Sequence, residues 1–209
     1  MKSLTLTVFA ILISATLKCF GQSADELQKK YNVFNRKISP GTEPRSVHLN
    51  DAEGEGHAWL NGTKFTYGTI EVDIKGKGKL QASFVGIAFH GVNDSTFEAV
   101  YFRPFNFRST DPVRKLHAVQ YIASPKFGWE RLRNEFPGKY EQPISPAPDP
   151  NGWVHARITV DGMNIKVYVN GNTTPSLVVE PLVHNNGPLI GLWTDSDGDW
   201  KNLKITPSK

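Results

Sequence analysis

The stretch "ITVDGMNIKVYVNG", residues 158–171, reads as two short strands and the turn between them. Ile158 and Val160, then Ile165, Val167 and Val169, alternate with Thr159, Lys166 and Tyr168. Successive side chains of a strand point to opposite faces, so this alternation gives each strand one apolar and one wet face. Asp161-Gly162 supplies the tight connection expected of an antiparallel hairpin.

The same rhythm runs outward in both directions. "TIEVDIK" (69–75), "LQASFVGIAFH" (80–90), "EAVYFR" (98–103), "HAVQYI" (117–122), "VHARITV" (154–160), "SLVVE" (176–180), "LIGLW" (189–193) and "WKNLKI" (200–205) are separated by "GKGK", "GVNDS", "NGNT", "NNGP" and "DSDGD". These separators carry the Gly, Asn and Asp that turns require. Only Ala24–Tyr31 looks helical. Many short strands with little helix predict an all-β, antiparallel sandwich or jelly roll, built as one domain.

Residues 1–21 stand apart from this domain. Lys2, the apolar run Leu4–Leu17 and the small residues Cys19 and Gly21 before Gln22 have the order of a secretory signal peptide. A lipidated Cys19 and an uncleaved anchor are the alternatives, and Lys18 suits lipidation poorly. Without the leader, 188 of the 209 residues remain, with 22 basic against 20 acidic side chains. That near balance leaves no basic block for nucleic acid, and no membrane insertion is expected after cleavage. The single cysteine leaves with the leader, so the exported domain, 22–209, must be held by its core alone. The expected location is secreted or periplasmic.

"EAVYFRPFNFR" (98–108) carries the most specific functional hint. Val100 and Phe102 share one face, and Phe105 and Phe107 resume the apolar positions after Pro104. Moving from even to odd positions without changing face predicts a bulge near Pro104. Arg103, Asn106 and Arg108 then fall on the opposite face. The same parity places Gly86, Ala88 and His90 of one neighbour, and Ala118 and Gln120 of another, on that side. Small residues beside His90, Arg103 and Gln120 would leave a trough with polar groups at its floor. Residues 125–152, which hold six of the 14 prolines and no strand pattern, form either a lid over this trough or a wrap closing a sheet edge. They supply Trp129, Arg131, Arg133, Tyr140 and Glu141, with Trp129 as the candidate stacking platform.

"KFTYGTIEVDIKG", "FVGIAFHG", "WVHARITVDGMNIKVYVNG" and "GPLIGLWTDSDGDWKNLKI" together resemble the concanavalin A-like lectin/glucanase superfamily, in its laminin G-like branch. The nearest likeness is to secreted bacterial proteins with LamG-like or 3-keto-disaccharide hydrolase domains, over most of residues 45–205. The resemblance implies two stacked, curved antiparallel sheets with a carbohydrate-handling concave side. It does not decide between lectin, hydrolase, lyase and adhesion module.

Other motifs carry less. "EVDIK" (71–75) is similar to the Glu-x-Asp-x-Glu strand of family 16 glucanases, but Lys75 stands where the acid/base carboxyl is needed. "DSDGD" (195–199) has Gly198 in fourth place and Thr206 in twelfth, unlike an EF-type loop, so a turn is expected and any calcium would be structural. No His-x-His or His-Glu-x-x-His spacing supports zinc, and no other cofactor is implied. The resulting expectation is a carbohydrate-engaging domain using His90, Arg103, Asn106, Arg108, Gln120, Trp129, Arg133 and Tyr140. The rival is a hydrolase or lyase with His90 or Glu141 as base and Arg103 stabilising negative charge. A third reading is a protein–protein adhesion module.

Overall fold

The computed structural model describes residues 23–183 and 187–208; the expected leader and Cys19 lie outside them. The first strands are β1 (Tyr31–Phe34), β2 (Ile38–Pro40), β3 (Val47–Leu49), β4 (Gly56–Leu60), β5 (Gly68–Lys75), β6 (Val85–Asn93) and β7 (Thr96–Phe102). They are followed by β8 (Val119–Ser124), β9 (Glu141–Gln142), β10 (Val154–Val160), β11 (Ile165–Val169), β12 (Leu177–Val179), β13 (Leu189–Thr194) and β14 (Gly198–Pro207). Three short helices punctuate them: α1 (Ala24–Lys30), α2 (Pro112–Lys115) and α3 (Trp129–Glu135). Among the described residues no helix is long and apolar enough to cross a membrane.

The strands form two seven-stranded antiparallel sheets. The first has the order β1-β4-β13-β6-β7-β8-β9, the second β12-β11-β10-β5-β14-β3-β2. This is a jelly-roll sandwich, as the turn rhythm predicts. The opening hairpin is present, with one difference. Val160 pairs with Ile165, so the loop is the four residues Asp161–Asn164 rather than a two-residue turn. The Asp161 carboxylate accepts the backbone N–H groups of Asn164 and Met163, which hold it below the usual carboxylate range. Gly162 takes φ +84° there, a conformation glycine adopts without cost.

The two sheets use their faces differently. In β5, β10 and β11 buried and half-buried residues alternate, so the second sheet buries one face and wets the other. Its wet face carries Glu71 beside Lys204, Asp73 beside His155, and Arg157 over the Tyr168 ring. The glucanase-like "EVDIK" segment therefore lies on a solvated, ion-paired surface. In the first sheet β7 is buried from Phe97 to Phe102, and β6 from Val85 to Gly91, so something covers both faces. One covering is the second sheet: Trp200 of β14 donates to the Gly86 carbonyl, and Leu182, just beyond β12, donates its N–H to the Tyr121 hydroxyl. The other is built by the segments after β7 and β8.

Those segments depart from the sequence reading. Pro104–Asn106 form a single 3-10 turn after β7 ends at Phe102, not a bulge within a continuing strand. Phe107 is buried all the same, reached by the turn rather than by strand alternation. Residues 125–152 are not structureless, since they contain α3 and the two-residue strand β9. Strand β9 pairs with β8 and forms that edge of the sheet, with Gln120 opposite Glu141. The short strands β1 to β4 were also not anticipated.

Candidate functional site

The register of the first sheet places Trp193, Gly86, Tyr101 and Gln120 in one cross-strand row, with Glu141 at its end. Their parity is opposite to that of Ile87, Val100 and Tyr121, which face the second sheet. Gly86 lies between two large rings in this row. A Cβ there would come within 2.2 Å of the Val100 carbonyl oxygen and 2.6 Å of Tyr101 Cα. With no side chain between them, the Tyr101 and Trp193 rings approach to 4.7 Å between centroids.

Above these rings is a pocket of about 370 Å³. Phe84, Phe105, Leu80 and Ile122 give it apolar walls, and Trp129 of α3, 48% exposed, stands at its rim. Arg103, Asn106, Arg114, His117 and Arg133 form one polar side, and Glu55 and Asp195 the other.

Arg103 is 5% exposed and anchors the basic side. Its backbone N–H donates to the Ala118 carbonyl, which holds the chain as it leaves β7. Its guanidinium donates to the Tyr101 hydroxyl at 2.7 Å, to Gln120 Oε1 and to the His117 carbonyl at 3.3 Å. It also lies over the Tyr101 ring at 4.9 Å. Burial lowers its pKa, against the pull of Tyr101 and Glu141. Burial likewise raises the Tyr101 phenol well above its ordinary value.

Glu141 sits 3% exposed beneath this group. Arg133 grips it with two bonds, Nε to Oε1 at 2.9 Å and Nη2 to Oε2 at 2.8 Å, while Arg103 stands 3.6 Å away. The bond to Glu141 raises the Arg133 pKa. Arg133 also stacks on Trp129 one helical turn away, 5.0 Å from the ring. His117 Nδ1 is 2.8 Å from Glu141 Oε2 but outside hydrogen-bonding geometry, and desolvation lowers its pKa despite that carboxylate.

With His117 Nδ1, four buried polar atoms of this region have no hydrogen-bond partner, the others being Asn106 Oδ1, Gln120 Nε2 and Trp193 Nε1. Gln120 Oε1 is taken by Arg103 and Tyr101, which fixes the amide and leaves its N–H₂ free. Asn106 donates to the His117 carbonyl and leaves its oxygen free. Trp193 faces Glu55 without a well-formed bond. Buried groups of this kind are costly unless something satisfies them. On the acidic side, burial and the neighbouring Asp195 raise the Glu55 carboxyl. Asp195 keeps an exposed surface, yet desolvation raises it too, with Arg36 pulling it back.

The structure thus brings Arg103, Asn106, Gln120, Trp129 and Arg133 into one region and leaves three candidates out of it. His90 takes φ +51°, and the β6–β7 register shifts between Phe89 and Asn93. That left-handed residue turns its imidazole toward the inter-sheet core. There Nδ1 meets Glu98 Oε1 at 2.8 Å and Nε2 meets the Thr66 carbonyl, while the Tyr121 hydroxyl donates to Glu98 Oε2 at 2.6 Å. Tyr140 is buried against Tyr121 and Phe136 and offers a ligand no surface. Arg108 is exposed and does not line the pocket. Glu141, held by Arg133, is a clamp on α3 rather than a free base.

The main omissions of the sequence reading are Tyr101, Trp193, Glu55 and Asp195. The first two share parity with Gly86 and Gln120, a signal that was present. Glu55 precedes a strand too short to recognise. The carboxylates of "DSDGD" diverge: Asp195 faces the pocket, Asp197 pairs with Lys77, and Asp199 lies 3.2 Å from His48. Among the described residues no group of three or more His, Cys, Asp or Glu could hold a metal ion.

Solved structures with this arrangement of sheets are similar in shape and distant in sequence. The carbohydrate-binding module CBM66 from Bacillus subtilis superposes with a TM-score of 0.59 at 14% identity, covering 83% of this chain and 93% of its own. A Bacillus subtilis protein with a galectin-like fold gives 0.55 at 13% identity, over 85% and 89%. The exoplasmic/lumenal domain of VIP36, in its Ca²⁺/Man₃GlcNAc-bound form, gives 0.54 at 12% identity, over 87% and 86%. The fold is a lectin-like β-sandwich. No family model and no curated protein matches the chain in sequence, so neither the LamG nor the 3-keto-disaccharide hydrolase likeness gains support beyond the fold.

Proposed function

We propose that this protein is a secreted or periplasmic carbohydrate-binding domain whose ligand occupies the pocket on the outer, concave face of the first sheet. The observation that carries this reading is the pairing of ring faces with unsatisfied hydrogen-bonding atoms in one pocket. Tyr101 and Trp193, each 2% exposed, line its floor and Trp129, 48% exposed, stands at its rim, while Asn106 Oδ1 and Trp193 Nε1 of the lining lack partners, as does Gln120 Nε2 next to Tyr101 and Arg103. A sugar ring matches that combination, since its C–H face stacks on aromatic rings and its hydroxyls both donate and accept. The pocket volume is near the lower end of small-ligand sites, about 300–1,000 Å³, and suits a short saccharide. The similar folds of a carbohydrate-binding module and of a mannoside-bound lumenal domain agree with this use.

A glycan array followed by calorimetry on the hits tests the reading. Binding that survives purification and weakens in Trp129→Ala supports it. Absence of glycan binding, with capture of a protein partner instead, would replace it with the adhesion-module reading.

A second reading, a glycan-degrading hydrolase or lyase, is favoured by one specific observation. Glu55 is shifted up and His117 down within the same pocket, which favours a protonated carboxyl as acid and a neutral imidazole as base. These two replace His90 and Glu141 as the candidate proton-transfer groups. Product analysis of the array hits, with Glu55→Gln as control, separates turnover from binding.

A further inference from the structure

We infer that the saccharide this pocket selects is anionic, a uronic acid residue whose carboxylate lies against the Arg103 side while its ring hydroxyls face Glu55 and Asp195. The inference rests on the carbohydrate reading above and deepens it.

On the basic side, Arg103 and Arg133 face a single buried carboxylate, Glu141, and both bonds that Glu141 makes to guanidinium nitrogens go to Arg133. Arg103, 5% exposed, hydrogen-bonds to a phenol, an amide oxygen and a backbone carbonyl, and meets Glu141 only as the longer ion pair at 3.6 Å. His117 does not add to the positive charge, because desolvation favours its neutral ring. Arg114 joins from α2, half-exposed and 3.4 Å from Asp111. That end of the pocket therefore sets two guanidiniums, Arg103 and Arg133, against the single carboxylate of Glu141, an excess of positive charge that an anion would answer.

Geometry narrows the class of anion. Arg103 lies 4.9 Å from the Tyr101 ring centroid and is held by three hydrogen bonds, none of which uses Nε–H. Gln120 Nε2, a donor with no acceptor, lies next to it. A carboxylate offers two oxygens to such neighbouring donors, a match that a guanidinium makes and an ammonium does not. The opposite wall sets the orientation. Glu55 and Asp195 repel a carboxylate and accept hydrogen bonds from hydroxyls, so the acid group and the diol of the ligand must lie at opposite ends. A hexuronate ring has its carboxyl group on C5 and its free hydroxyls across the ring, which satisfies both walls at once.

The test uses matched ligands on the mature protein. Calorimetry compares short oligosaccharides ending in glucuronic, galacturonic or mannuronic acid with the same oligosaccharides after reduction of the carboxyl to a primary alcohol. At least one uronate should bind about tenfold or more tightly than its reduced counterpart, as expected for a charge-assisted hydrogen-bonded pair. The preference should shrink by about threefold in Arg114→Gln, which removes one partly screened charge from an exposed helix. It should also fall in 0.5 M salt. Arg103→Gln should abolish the preference; if that variant does not fold, the Arg114→Gln and salt measurements still decide. Equal affinity for acid and reduced forms would overturn the anionic assignment and leave the carbohydrate reading standing. Tighter binding of a sulfated hexose than of any uronate would overturn the carboxylate specifically. Failure of every charged and neutral saccharide to bind would overturn both readings together.

Discussion

The two faces of the first sheet each hold a buried polar network, and the networks differ in one respect. On the inner face His90, Glu98 and Tyr121 satisfy one another: both imidazole nitrogens, both carboxylate oxygens and the phenol have partners within the protein. On the outer face Arg103, Tyr101, Gln120 and Asn106 are bonded together, yet Gln120 Nε2 and Asn106 Oδ1 remain unmatched. Burial and polarity are alike in the two places. The closed network belongs to the fold, and the open one is where the proposed ligand would complete the bonding. Degree of satisfaction, not burial or residue type, distinguishes these two networks.

That contrast can be broken from the inside first. Glu98→Ala leaves the His90 ring and the Tyr121 hydroxyl unpaired in the core, and breaking a buried pair in this way costs about 3–5 kcal/mol. Chemical denaturation should show the loss, while the ligand affinity of the molecules still folded at low temperature should not change. A large affinity change would mean the two faces are coupled.

Acid provides the second test, because two buried histidines respond in opposite directions. Burial pushes His57 down to about 4 from an ordinary value of 6.5, and neither of its ring nitrogens has a hydrogen-bond partner. Between those values the unfolded chain holds a proton that the folded one rejects, so stability falls as pH drops from about 6.5 to 4. The difference amounts to about 3 kcal/mol and should vanish in His57→Phe. For His90 burial works against the charged ring, but the bonds to Glu98 and the Thr66 carbonyl outweigh it and raise the pKa. Its contribution is fully present below about 6.5 and is lost as pH rises through the folded value. Unfolding free energies across pH for the wild type, His57→Phe and His90→Gln should separate the two slopes.

On the outer face, Arg103→Lys keeps the charge and removes the fork. Affinity should drop by about 1.5–3 kcal/mol, the range of a charged hydrogen bond. Because Arg103 also holds Gln120 and the His117 carbonyl, the unfolding midpoint should fall as well, but less than in Glu98→Ala. An unstable variant with normal affinity would make Arg103 a clamp only. The smallest expected effect is that of Trp129→Ala, on the order of 1 kcal/mol in affinity with little change in stability, since a stacking ring at an exposed rim is lost.

How far the sequence went depended on whether neighbours obey alternation. The hairpin around Asp161, the strand parity of Gln120 and the outward placement of Arg103 follow from period two, whereas Asn106 reaches the same region through the 3-10 turn after β7. His90 escaped because one left-handed residue changes the side its ring takes, and nothing in "GIAFHG" announces it. Residues 129–135 escaped because a seven-residue helix between proline-rich flanks has too few turns to show a stripe. Tyr140 stands among the candidate binding residues because nothing in the sequence shows that β9, which follows it, pulls it into the core. Glu55 could not be placed before β4 was known to pair with β13 and set it beside Trp193 and Asp195.

Gly86 carries one more consequence. Its missing side chain fixes two lengths together: the separation of β6 from β7, and the approach of the Tyr101 and Trp193 rings above it. A guest that needed those rings further apart would have to prise two paired strands open, breaking ladder bonds in the most buried part of the sheet. The aromatic floor is therefore a gauge of fixed width rather than a pair of jaws. Discrimination among ligands on this floor is made by rejection at entry, and the entropy of arranging it has been spent at folding, before any ligand arrives.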